Sequence, residues 1–220
     1  MRVCSVFVLA ALLPLHPAVA AEWEISLYYG DQGAPPSDIT IRGDDAIPDS
    51  DFSQKWDGNS SRWPIYGGFR VTYWRDTHFG YGLDWTHNKV EPKRGSEPAG
   101  FRNLEFTDGL NTWLLTAYYR WPDAVETPLG GLTPYVGAGA GISLPGVEVR
   151  YGGSDTFEYQ ITGPAVGALA GASIPLNDDW SLFGEYKWTY SQNTVDLVGG
   201  GTLESDISTN AVNIGISYRF

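Results

Sequence analysis

Asn213-Ile214-Gly215-Ile216-Ser217-Tyr218-Arg219-Phe220 closes the chain. Small or polar residues alternate with apolar ones there, and the last position is aromatic. Successive side chains of a β-strand point to opposite faces, so this stretch has one wet face and one apolar face. A strand that meets different surroundings on its two sides sets what the rest of the chain must explain.

The other end carries an export signal. Arg2 supplies a positive start, residues 6–15 a short apolar stretch, and Ala18-Val19-Ala20 a small-residue cleavage site. Residues 1–20 therefore read as a signal peptide and 21–220 as a single exported domain. Pro14 and Pro17 interrupt an apolar run already too short to span a bilayer as a helix. Cys4, the one cysteine, leaves with that segment, so the mature chain forms no disulfide. Aromatic residues are abundant (9 Trp, 13 Tyr) and glycines number 27. An exported chain with this composition and no spanning helix fits a membrane barrel, with a soluble periplasmic β-sandwich as the alternative. The closing strand resembles the terminal strand of bacterial outer-membrane barrels, a class in which the C-terminal aromatic serves as an assembly signal.

Eight segments repeat the alternation. They run over 23–30, 65–74, 79–86, 112–121, 136–142, 166–172, 181–190 and 212–220. The clearest places Phe79, Tyr81, Leu83 and Trp85 opposite Gly80, Gly82, Asp84 and Thr86. Lipid leaves no water for an open sheet edge, so an even set of strands must close. The expected fold is all-β: an eight-stranded antiparallel transmembrane barrel, integral to the bacterial outer membrane. The connections after the second and sixth strands are short and that after the fourth (122–132) is modest, whereas 31–63, 87–107, 144–160 and 191–208 are long. Long loops face outward and short turns the periplasm.

Side chains fill an eight-stranded lumen, so a pore is not expected. The inward positions carry Glu24, Asp84 and Glu185 against Arg70, Arg120, Lys187 and Arg219. These charges read as an ion-pair network fastening the strands; a proton or ion path is the competing reading. The formal net charge is −12, or −13 once Arg2 is removed, which argues against a nucleic-acid partner. Acidity concentrates in the first long loop, at Asp31, Asp38, Asp44, Asp45, Asp49, Asp51 and Asp57. Loose Ca²⁺ or Mg²⁺ bridging from that loop to anionic lipid phosphates is one consequence.

The candidate site lies at the outer rim. His87 ends the third strand, and the fourth begins across the second loop, which brings the two ends together. Extending the parity puts His87 and Lys89 on the lipid side of one strand and Glu105 and Asn111 on that side of the next, with Asp108 a further candidate. Histidine can serve as a general base near neutral pH, with a carboxylate to orient it or to hold a cation. The competing reading is that polar residues simply decorate loop edges. One histidine with scattered carboxylates does not make a metal motif of recognisable spacing.

Three stretches carry a more specific likeness: Tyr81-Gly82-Leu83-Asp84-Trp85-Thr86-His87-Asn88-Lys89-Val90, Leu104-Glu105-Phe106-Thr107-Asp108-Gly109-Leu110-Asn111, and Phe183-Gly184-Glu185-Tyr186-Lys187-Trp188-Thr189-Tyr190-Ser191-Gln192-Asn193 with the glycine run at 199–201. In these the chain resembles the lipid A oxidases of rhizobia and their relatives. The resemblance implies an outer-membrane enzyme whose partner is lipid A or lipopolysaccharide; a monomer is expected. It implies conversion of the proximal glucosamine to 2-aminogluconate, with O₂ as co-substrate and hydrogen peroxide as co-product. It fixes no cofactor. A divalent metal is a candidate, and no nucleotide-binding motif is present. The assignment of His87, Lys89, Glu105, Asp108 and Asn111 comes from position alone. A non-catalytic barrel for envelope stability or surface interaction is the alternative, because architecture by itself carries no function.

Overall fold

A computed structural model describes residues 21–96 and 98–220, without the side chains of Thr107 and Asp108. The expected signal peptide, including Cys4 and His16, lies outside the described residues. The strands are β1 (Glu22–Gly33), β2 (Ser37–Arg42), β3 (Ser50–Gln54), β4 (Trp56–Asp57), β5 (Gly67–Trp74), β6 (Phe79–Pro92) and β7 (Phe101–Arg120). They continue as β8 (Val125–Thr127), β9 (Gly130–Ser143), β10 (Gly146–Tyr151), β11 (Ser154–Tyr159), β12 (Gly163–Pro175), β13 (Trp180–Asp196) and β14 (Thr202–Arg219).

Eight of these form the ring β1-β5-β6-β7-β9-β12-β13-β14, every neighbouring pair antiparallel, and β14 returns to β1. Each expected segment falls on one of them. The closing strand runs Arg219 against Glu24 and Ile216 against Leu27. Two backbone hydrogen bonds finish the seam, Phe220 N to Trp23 O at 3.0 Å and Trp23 N to Phe220 O at 3.2 Å. No amide edge is left to lipid there.

The alternation sorts side chains as anticipated. Leu115 is 73% and Ile214 63% exposed, a burial state that suits lipid rather than water. The opposite face turns inward. Arg70 bonds both Asp84 (3.1 Å) and Glu185 (2.9 Å), and Lys187 bonds Asp84 at 2.6 Å. Nearer the periplasm, Glu22 pairs with Arg120 and Arg219, each at 3.3 Å. Above the ion pairs lies a hydroxyl and amide layer, in which Asn193 accepts from both Ser143 and Thr162 at 2.8 Å.

The long connections differ from the expectation of loops. The segments 87–107 and 191–208 mostly continue as strand, in β6, β7, β13 and β14. The connection 31–63 contains the β2–β3 hairpin, which pairs with β14, and β4, which pairs with β6. The connection 144–160 forms the β10–β11 hairpin on β7. Beyond the membrane the inward face changes from polar to apolar. Ile39, Ile41, Val90, Phe106, Leu203 and Ile207 belong to one buried cluster that caps the lumen. Burying that apolar surface repays extending strands into water.

Candidate functional site

His87 and Asn111 are direct partners across β6 and β7. The imidazole Nδ1 lies 3.0 Å from Asn111 Oδ1. Asn111 Nδ2 donates to Gly109 O at 3.3 Å, which fixes the amide orientation, so Nδ1 carries the proton and donates to Oδ1. Gly109 adopts φ 88°, and a Cβ there would collide with the imidazole. The ladder slips at this point: Asn88 faces Leu110, but Val90 faces Phe106. The extra residues on β7 form a bulge against which the His87 ring packs, leaving it 9% exposed.

His87 and Asn111 nevertheless line an open groove of about 610 Å³ on the lipid-facing side, with Trp63, Pro64, Trp85, Trp113, Leu144 and Tyr159. His87 stands eight residues beyond Phe79 on β6. At ~3.4 Å per residue and ~40° of tilt this is about 20 Å along the barrel axis, near the outer edge of a ~25 Å apolar band. The groove therefore opens near the outer edge of the apolar band.

Lys89 does not join the pair. Parity sets it on the same face as His87, since neighbouring Val90 turns into the buried cap, but the first loop covers that face beyond His87. Its side chain is 1% exposed and bonds Glu91 at 3.0 Å. Asn59 Nδ2 and Arg62 cover Glu91 from the first loop, at 2.7 and 3.0 Å. Lys89 is thus a buried ion-pair partner beneath that loop. Glu105 lies farther along β7, opposite Glu148 of β10, and accepts from Asn103 at 2.7 Å. The Asp108 side chain lies outside the described residues. Sequence reasoning missed the groove walls Trp63, Pro64, Leu144 and Tyr159. The Trp63-Pro64 pair in a long polar loop was the available signal.

No group of three or more His, Cys, Asp and Glu able to hold a metal ion occurs among the described residues. His87, Asn111 and the aromatic lining do not fit a tight metal centre, whose ligands are several imidazoles, thiolates or carboxylates. No catalytic step is assigned to one.

The closed ring, lipid-facing apolar band and filled lumen define an integral membrane β-barrel of the outer-membrane type. The chain belongs to the outer membrane protein beta-barrel domain family, whose profile matches residues 5–220. No curated protein matches the sequence. Among solved structures, the chain is similar to Neisserial surface protein A, with 15% identity, TM-score 0.47, and 92% of this chain and 100% of that one covered. It is similar to OprG from Pseudomonas aeruginosa, with 16% identity, TM-score 0.48, and 91% and 96% covered. It is also similar to Ail, the attachment invasion locus protein of Yersinia pestis, with 14% identity, TM-score 0.40, and 92% and 100% covered.

Proposed function

We propose that this outer-membrane barrel is a monomeric lipid A-modifying enzyme of the lipid A oxidase type, acting on the outer leaflet of the membrane that holds it. The observation that carries this reading is the His87–Asn111 pair, 3.0 Å apart in a lipid-facing groove at headgroup height. The resemblance adds support, because its quoted stretches meet in space. Those of β6 and β7 pair directly, and that of β13 reaches β6 through Lys187 Nζ, 2.6 Å from both Asp84 Oδ1 and Thr86 Oγ1.

The reaction removes the C1 hydrogen and the O1 hydroxyl proton of the proximal glucosamine, with two electrons. O₂ takes both electrons and both protons and becomes hydrogen peroxide, leaving a lactone that water opens to 2-aminogluconate. His87 is the residue to accept the hydroxyl proton. Asn111 holds the imidazole in the tautomer whose Nε2 is the accepting nitrogen, an atom buried in this structure that substrate reaches only by displacing the groove lining.

One observation favours the alternative of a non-catalytic barrel for envelope stability or surface interaction. Lys89 is committed to Glu91 beneath the first loop, and Glu105 lies in a different neighbourhood from His87. Expression in a host lacking the activity separates the two. Mass spectrometry should show lipid A that has gained one oxygen, and His87→Ala should abolish the gain while electrophoresis still shows a heat-modifiable barrel. Unmodified lipid A from folded wild-type protein sinks the oxidase reading.

A further inference from the structure

We propose that the groove is a binding site for an acylated saccharide lipid of the outer leaflet, and that Trp63 is the residue that holds it. This rests on the same site as the oxidase reading but not on its chemistry. The lower walls, Trp85 and Trp113, belong to the lipid-facing surface of β6 and β7, so the groove is continuous with the membrane. Leu144 and Tyr159 both bound it from the base of the β10–β11 hairpin, where Gly146 pairs with Tyr159, and Trp63-Pro64 from the first loop.

Trp63 is 84% exposed, an unusual state for an indole outside a membrane or an interface. The chain on both sides of it is tied down. Arg62 bonds the buried Glu91 at 3.0 Å, and the fully buried Tyr66 donates its backbone N–H to Ser60 O at 2.9 Å. The indole is thus presented by a fixed segment, and little side-chain or loop ordering is left to oppose binding. A mostly aromatic and aliphatic lining with a few polar groups is the usual make-up of a small-molecule site, and about 610 Å³ falls in the usual size range.

The lining chooses the ligand class. Its indoles offer flat apolar faces to a sugar ring and an acyl chain, and no Lys or Arg is among the lining residues to meet a phosphate. The His87–Asn111 pair lies buried behind them, with its facing atoms bonded to each other. An acyl chain then lies along Trp85, Trp113 and Leu144, with its sugar between Trp63 and the His87–Asn111 pair. The height of the groove agrees, since it opens where chains end and saccharide begins.

The test uses full-length barrel in phosphatidylcholine vesicles with and without lipid A, reading tryptophan fluorescence and the lipid retained in native mass spectra. Wild type should retain lipid A and not phosphatidylcholine. Trp63→Ala should weaken retention about tenfold or more, Trp63→Phe should restore most of it, and Trp180→Ala at the periplasmic end should change nothing. Heat-modifiability confirms folding of each variant. Equal retention by Trp63→Ala and wild type overturns the proposal, as does equal retention of phosphatidylcholine. Lipid A held by wild type but left unoxidised in cells defeats the oxidase reading and leaves the groove standing.

Discussion

At the scale of the residue, Gly109 ties backbone geometry to the candidate chemistry. Its φ of 88° lies where glycine alone is unstrained, and its bare Cα makes room for the His87 ring. Gly109→Ala should cost about 1–3 kcal/mol through backbone strain and displacement of the imidazole. The barrel should stay heat-modifiable while the proposed lipid A oxidation falls with the His87–Asn111 contact; unchanged oxidation would detach ring placement from that proposed activity. A different residue controls the periplasmic end. Asp76 accepts backbone hydrogen bonds from Phe79 and His78 and pairs with Arg75, which lowers its pKa from the ordinary 3.8 to about 2. A depressed carboxylate contributes stability that is complete above pH 3.8 and disappears as pH falls through 2. The difference in unfolding midpoint between wild type and Asp76→Ala should therefore be constant from neutral pH down to about 4 and shrink below it. A difference that persists undiminished to pH 2 would show that the turn owes nothing to the ionised form.

At the scale of the element, β6, β7, β13 and β14 run past the membrane because their inward faces change chemistry. On β13 the inward series passes from Glu185 and Lys187 through Thr189, Ser191 and Asn193 to Val195. The membrane portions were legible in the sequence, since alternation against lipid is a strictly local signal. The extensions were not, because Val195, Leu203 and Ile207 look like isolated apolar residues among polar ones until strands distant in sequence bring them together. The same limit explains Lys89. Parity counted from Phe79 places both His87 and Lys89 on the outward face, but the cover that Asn59 and Arg62 of the first loop draw over Glu91 and its partner Lys89 comes from residues distant in sequence. Ile41 is 0% exposed in the cap and sits on β2, whose pairing to β14 is only three residue pairs long. Ile41→Asp should cost several kcal/mol locally by burying an unpaired charge. Limited proteolysis should then cut within 31–63 while the barrel remains heat-modifiable. Resistance equal to wild type would mean that the cap does not depend on this hairpin.

At the scale of the whole molecule, the interior is a stack of three layers with different polarity. Ion pairs centred on Arg70 occupy the middle of the membrane, a hydroxyl and amide layer lies above, and the apolar cap covers the outer mouth. The charges of the first layer were legible from parity, and their pairing satisfies the demand that buried ions be compensated. Near the periplasmic end, the space lined by Glu24, Arg70, Tyr118 and Arg120 is about 30 Å³, room for a couple of waters rather than a path. An ion crossing the barrel would have to shed its hydration shell, displace Arg70 from two carboxylates and then enter the apolar cap. Each step carries a large desolvation cost. Reconstituted wild-type protein should thus show no steady ion conductance in planar bilayers. The layers also block independently, so opening the cap alone should change nothing: Ile41→Asp should remain silent because the Arg70–Asp84–Glu185 network still fills the lumen. Conductance in the variant alone would assign the barrier to the cap, whereas conductance in both would show that the ion-pair layer opens in the membrane.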